Sequence, residues 1–352
     1  MSKIERLSIG TDDHKVFTIE LRPTSKCNYN CYYCTDLHIN NNPIVNLNPL
    51  DLINLINHIR INTSHSIHIF ICGGEPTMYR DLTKLINDTT PNLRNGDWIT
   101  IQTNMHKPLE WFEKFINSIN DTRFLKINGS YHNTQPGVTI TNYLKKCVYL
   151  LNAGVLGVVS FGYNQRKDVT SDYKMALKFL PQVHCEIVPL INASVDQDPI
   201  KGSDSDKDID YLYDNVNMDE FKEYGHFFRP CIQYEDEQRN IKYISRSQLW
   251  LERSNNFHGY KCSVSKFKIY VDWDGNCYKC FNQQFSNIKP VMHIQDHKSV
   301  GEYFKNLKCM DCPFTTCFFD VEYLKIKQDK QVEHVMIDRH FNTHEYRRTC
   351  KS

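Results

Sequence analysis

Three thiols crowd into KCNYNCYYC, residues 26–34: Cys27, Cys31 and Cys34, spaced CxxxCxxC with tyrosines and asparagines between them. Thiolates at this spacing can grip one metal centre from a single loop, and aromatic Tyr33 before the last one can shield it. Two chemistries fit. A structural zinc ion takes four ligands, and His38 is near enough in sequence to be the fourth. A [4Fe–4S] cube held by three cysteines instead leaves one iron open to a further ligand. The next cysteine is Cys72.

A second group lies near the other end. GYKCSVSKFKIYVDWDGNCYKCFNQ carries Cys262, Cys277 and Cys280, and LKCMDCPFTTCFF carries Cys309, Cys312 and Cys317. Within the first stretch, alternating apolar residues flank Asp274-Gly275, which predicts a β-hairpin with its turn there. Such a hairpin brings Cys262 near Cys280, and a later knuckle can close four ligands around one centre. Read alone, Cys277, Cys280, Cys309 and Cys312 also make CxxC…CxxC, a zinc-ribbon pattern.

These groups sit in a chain of 352 residues with 42 basic and 41 acidic side chains, so net charge implies no bulk attraction to nucleic acid or anionic membrane. The N-terminus is polar, and no apolar run approaches the roughly 20 residues needed to span a bilayer. A cytoplasmic protein is expected. In that reducing compartment its 14 cysteines read as metal ligands or buried thiols rather than disulfides.

The elements that must position the thiols follow from hydrophobic periodicity. Strands are predicted at 15–21, 66–72, 98–103, 123–128, 155–163 and 183–190, and helices between them at 50–60, 81–88, 108–119, 141–154 and 171–180. Alternation of this kind implies right-handed βα units around a parallel sheet, either open or an incomplete barrel. The cysteine loop follows the first strand, CGGEP (72–76) the second, TNMHKP (103–108) the third and NGSYHN (128–133) the fourth. All four therefore fall at strand C-termini, where α/β folds build their sites. Cys72, Cys147 and Cys185 read as core thiols, His132 as a contact or a structural loop histidine, and Glu186 as facing either side of the last strand. The acidic stretch 194–210 is a solvated linker: DSDKDID lacks a calcium loop's glycine and glutamate, having Ile209 and Asn215 there.

Taken together, CxxxCxΦC at Cys27, Cys31 and Cys34 and GGEP one βα unit later resemble the radical SAM superfamily. The resemblance covers residues 15–190 and implies an incomplete (β/α)6 TIM-like barrel. It implies a [4Fe–4S] cluster on the three cysteines whose open iron is chelated by S-adenosyl-L-methionine. Reductive cleavage would yield a 5′-deoxyadenosyl radical that abstracts hydrogen from a peptide or small molecule. Gly73, Gly74 and Glu75 would receive the SAM amino group, Thr103 and Asn104 match the ribose-contacting position, and Ser130 to His132 resemble the SYH of some members. Flavodoxin or ferredoxin is the implied reductant.

The C-terminal cysteines are similar to the Twitch or SPASM extensions that carry auxiliary [4Fe–4S] clusters. The expected ligands are four among Cys262, Cys280, Cys309, Cys312 and Cys317; the further SPASM cysteine is replaced by Val321, while Cys231, Cys277 and Cys350 leave room for a second cluster. The expected organisation is a barrel over 15–193, a linker and connecting helix over 194–229, and a small cysteine-rich domain with a β-hairpin over 230–352. The competing reading is a non-catalytic zinc or iron–sulfur module that binds nucleic acid, which calls for a basic face the balanced charge does not supply.

Overall fold

The computed structural model describes residues 6–7, 16–31, 34, 44–163, 169–189, 232–235, 241–244, 261–285, 288–313 and 324–325. Tyr33, His38, the stretch 194–229, Cys231, Cys317, Val321 and Cys350 lie outside them.

The alternating β-branched runs form β1 (Val16–Leu21), β2 (Ser66–Ile71), β3 (Trp98–Thr103), β4 (Leu125–Tyr131), β5 (Leu156–Tyr163) and β6 (Cys185–Pro189). Each pairs parallel with the next in chain order. The connections carry α1 (Pro49–Asn62), α2 (Leu82–Thr89), α3 (Leu109–Asn117), α4 (Ile140–Asn152) and α5 (Thr170–Phe179). Local chemistry sets their starts: the Asn48 side chain accepts from Leu50 N at 2.9 Å ahead of Pro49, and Thr139 accepts from Asn142 N at 3.4 Å.

Side chains alternate across a strand, and the apolar set decides which face meets the helices. Phe17, Ile19 and Leu21 of β1, Ile67, Ile69 and Ile71 of β2, and Val159 and Phe161 of β5 are buried with Leu52, Leu55 and Ile59 of α1, Phe112 of α3 and Tyr173 of α5. The opposite, inner face carries Thr18, Glu20, His68, Thr100, Gln102, Ser130 and Ser160 in the alternate positions.

The sheet does not end at β1. After the four-residue helix Val264–Phe267, β7 (Lys268–Val271) pairs parallel with β1, with Ile269 opposite Ile19. Its hairpin partner β8 (Asn276–Tyr278) and then β9 (Met292–His293) extend it, giving nine strands in the order β9-β8-β7-β1-β2-β3-β4-β5-β6. The hairpin turns at Asp274-Gly275 as expected: Gly275 adopts φ +84° and its N–H donates to Asp272 O at 2.9 Å. The C-terminal hairpin is thus a continuation of the barrel sheet, because Ile269 and Val271 supply apolar side chains in phase with those of β1.

Two small sheets complete the described residues. Ile232–Glu235 lies between Arg6–Leu7 and Ile241–Ile244, and Lys261–Cys262 between Met310–Asp311 and Leu324–Lys325. Among the described residues no helix is long and apolar enough to cross a membrane.

Candidate cofactor site

At the end of β2 the chain makes two left-handed residues in succession, Gly73 at φ +72° and Gly74 at φ +50°. Any side chain there would collide with protein. A Cβ on Gly74 would sit 2.6 Å from Lys26 O and 2.8 Å from Thr24 O, and one on Gly73 would sit 2.4 Å from Arg22 Nε. Glu75 N donates to Lys26 O at 2.7 Å, so the turn is laced to the backbone immediately before Cys27.

The Glu75 carboxylate, 1% exposed, locks the arrangement. Its Oε1 accepts from Thr77 N (3.0 Å), Thr77 Oγ1 (2.7 Å) and Thr103 Oγ1 (2.6 Å), and Oε2 accepts from Asn104 N (2.8 Å). A carboxylate offers about four acceptor positions. Most of Glu75 is therefore spent on joining the ends of β2 and β3, which leaves the Gly73-Gly74 backbone as the part open to a ligand. Thr103 and Asn104 are drawn to Glu75 in the same way. Asn104 also passes the contact on: its Oδ1 accepts from His106 N at 2.9 Å and its Nδ2 donates to Asn28 Oδ1 at 3.0 Å.

The three thiols lie on the loop after β1. Cys31 is buried and Cys27 and Cys34 half-buried. Cys34 N donates to Cys31 O at 3.0 Å in a tight turn, and Tyr29 N donates to Cys27 Sγ at 3.4 Å. Burial pushes the Cys27 thiol up to about 12, with Glu75, Cys34 and Cys31 adding to the cost of its anion, and burial raises Cys34 too, against the pull of Arg22. Among the described residues no three His, Cys, Asp or Glu groups are drawn together at metal-binding distance. The donor set nonetheless fits an iron–sulfur centre. Thiolates that are this costly to form need a cationic centre, and the loop holding them abuts a turn with no side chains.

Further round the rim, Tyr29 makes edge contacts with His106 (5.6 Å between ring centroids) and His132 (6.0 Å), roofing the inner face. Burial lowers His132 to about 4, so it is neutral at pH 7. NGSYHN is not all loop: β4 runs on to Tyr131, since Ser130 pairs with Ser160 and Tyr131 with Phe161 in register. Tyr131 turns to the core and donates to Asp172 Oδ2 at 2.9 Å, while Ser130 faces inward and accepts from Gln102 Nε2 at 2.6 Å. Register also settles Glu186: it stands opposite Ser160, whose Oγ donates to it at 2.8 Å on the inner face. Cys147 and Cys185 are core thiols as expected. Cys72 is not, because residue 72 continues the inward row of β2; its Sγ lies 3.6 Å from Glu20 Oε1.

Two inward charges went unassigned in the sequence, Glu20 on β1 and Arg22 just past its end. Glu20 pairs with Lys268 of β7 at 2.6 Å. Arg22 lies 3.7 Å from Asp272 and 4.7 Å from the Trp273 ring centroid, so cation–π contact and charge dock the hairpin beside the cysteine loop.

At the second cysteine group, Cys262 pairs with Met310, the residue that follows Cys309 and precedes Cys312 by two. Gln283, whose N–H donates to Cys280 O at 3.3 Å, reaches Met310 Sδ at 3.8 Å with its Nε2. Cys262, Cys280, Cys309 and Cys312 thus lie on segments that meet at Met310, without being drawn together at metal-binding distance. Cys277 does not join them, since it alternates with Tyr278 and is buried in the main core with Val271, Met292 and Val300. That removes one ligand from the zinc-ribbon pattern.

A sequence profile of the radical SAM superfamily matches residues 21–179. No curated protein matches the chain. Among solved structures, SuiB of Streptococcus suis bound to S-adenosylmethionine is similar at TM-score 0.53 and 15% identity, over 84% of this chain and 68% of SuiB. Native anSMEcpe with bound AdoMet gives 0.52 at 16% identity, over 83% of each chain. The same protein with AdoMet and Kp18Cys peptide gives 0.51 at 15% identity, over 83% of this chain and 82% of that one. These likenesses show a shared fold, and the radical SAM profile match spans the thiols, the glycine turn and the strands between.

Proposed function

We propose that this protein is an enzyme that reductively cleaves S-adenosyl-L-methionine at a [4Fe–4S] cluster held by Cys27, Cys31 and Cys34, and abstracts hydrogen from a peptide or small-molecule substrate. The observation that carries the reading is the Gly73-Gly74 turn laced to residues 24–26, with every Cβ position already filled by protein. Bound there, the cluster and SAM supply the electron and the 5′-deoxyadenosyl radical. The chain's own part is placement: the bare turn admits the SAM amino group, Glu75 fixes the turn to β3, and Tyr29 with neutral His132 keeps water from the inner face. The row Gln102, Ser130, Ser160, Glu186 below that roof suits a polar substrate. The anSMEcpe complex with a peptide supports a peptide as one such substrate.

An auxiliary [4Fe–4S] cluster is proposed on Cys262, Cys280, Cys309 and Cys312, a reading supported by the pairing of Cys262 with Met310 and the contact of Gln283 with Met310 Sδ. Its role is electron acceptance or substrate positioning. A flavodoxin or ferredoxin is the proposed reductant.

Anaerobic reconstitution followed by SAM and dithionite tests the reading: 5′-deoxyadenosine should appear and be lost in Cys31→Ala together with about four irons. Absence of any cleavage product, with iron unchanged in that variant, would overturn it. Close to eight irons per chain is expected in the wild type, whereas about four irons with one zinc would remove the auxiliary cluster.

A further inference from the structure

The amide network at the rim ends on a donor that no described residue accepts from. His106 N–H occupies Asn104 Oδ1, so Asn104 must turn its Nδ2 toward Asn28, and Asn28 must answer with Oδ1. Neither amide can flip without setting donor against donor. Asn28 Nδ2 is thereby turned away from Asn104, where it exposes less than 1 Å² and, among the described residues, meets no acceptor. A buried amide left in this way is costly unless something accepts its hydrogens. Its nearest chain neighbour is Cys27, whose sulfur already receives the Tyr29 N–H at 3.4 Å. One donor of this loop thus already falls on sulfur.

We infer that Asn28 donates a hydrogen bond to a sulfur of the iron–sulfur centre held by Cys27, Cys31 and Cys34, oriented for it by Asn104 and, through the backbone of Asn104, by Glu75. The inference rests on the radical SAM reading. A hydrogen bond to cluster sulfur stabilises the more negative, reduced state and raises the reduction potential. Asn28 would set how readily the centre accepts the electron needed for SAM cleavage.

The test is an EPR-monitored redox titration of reconstituted wild type, Asn28→Ala and Asn28→Leu, without SAM. At the poise where the wild-type cluster is half reduced, both variants should show about a tenfold lower reduced-to-oxidised ratio, a shift of 59 mV for a one-electron couple, with unchanged iron content. An unchanged midpoint in both variants overturns the inference while leaving the enzyme reading intact; failure of the wild type to hold any cluster sinks that reading instead. A change confined to SAM affinity also overturns the inference, assigning the donor to the SAM carboxylate. If both variants lose the cluster, wild-type protein carrying nitrogen-15 asparagine decides: hyperfine coupling to an asparagine nitrogen in the reduced cluster supports the contact, and its absence overturns it.

Discussion

The two ends of the barrel strands bury polar groups to opposite purposes. At the N-terminal base, Asp97 before β3 accepts from Arg60 Nη1 of α1 at 2.9 Å, from Ile67 N at 2.8 Å and, on its other oxygen, from Arg94 N at 2.8 Å. Arg60 Nη2 donates onward to Thr63 O at 2.7 Å. That network is centred on an ion pair: both side chains are almost wholly buried and the opposite charges meet, with Arg60 Nε left over as a buried donor without a partner among the described residues. At the C-terminal rim, Glu75 is as well buried and as fully bonded, and its network runs through Asn104 to Asn28 and stops on a donor with no acceptor among the described residues, one residue from Cys27. Both networks leave one buried donor over, but the base joins opposite charges, whereas the donor left at the rim is a neutral amide one residue from a thiol costly to ionise. The difference lies in what stands beside the leftover donor, not in whether there is one.

The comparison breaks most visibly at the base. Asp97→Ala strands a buried guanidinium and should cost about 3–5 kcal/mol in urea unfolding, with iron content on reconstitution unchanged in the fraction that stays folded. Glu75→Gln sets an amide against one of four donors and should cost about 2–3 kcal/mol, but unlike the base variant it should also weaken SAM binding, measured by calorimetry. Gly74→Ala should cost about 2 kcal/mol for the left-handed conformation and abolish SAM cleavage while far-UV CD stays native. The smallest effect concerns pH. His132 is held well below its ordinary value, so the unfolded chain binds more protons and stability falls as pH drops from about 6.5 toward 4. Between pH 7 and pH 5 the loss should be about 1–2 kcal/mol after allowing for partial exposure, and His132→Asn should flatten that slope. An equal slope in both proteins would remove His132 from the roof.

Much of the barrel is legible in the chain because its strands follow one rule: β-branched side chains at alternate positions, with the apolar set facing the helices. The six parallel strands fall within about three residues of where that alternation puts them. The miss at NGSYHN has a definite cause. Polar Ser130 and permissive Gly129 look like loop, but on the inner face of a barrel polar residues are the normal occupants, and the ladder with β5 carries β4 through them. Cys72 was misjudged for the same reason. Cys277 needed only its parity relative to Tyr278, but parity assigns a face only once the core is known.

Residue types and local spacing alone determined the cysteine loop, the double-glycine turn, the hairpin at Asp274-Gly275 and the order of the βα units, because each depends on chemistry within a few neighbouring residues. Only the tertiary structure decided that β7 extends the barrel sheet, that Cys262 pairs with Met310, and that Asn28 is held with its amide hydrogens turned away from Asn104. Those relations join residues up to about 250 positions apart through registers and hydrogen bonds. No local propensity encodes them, since they exist only when all partners are packed at once.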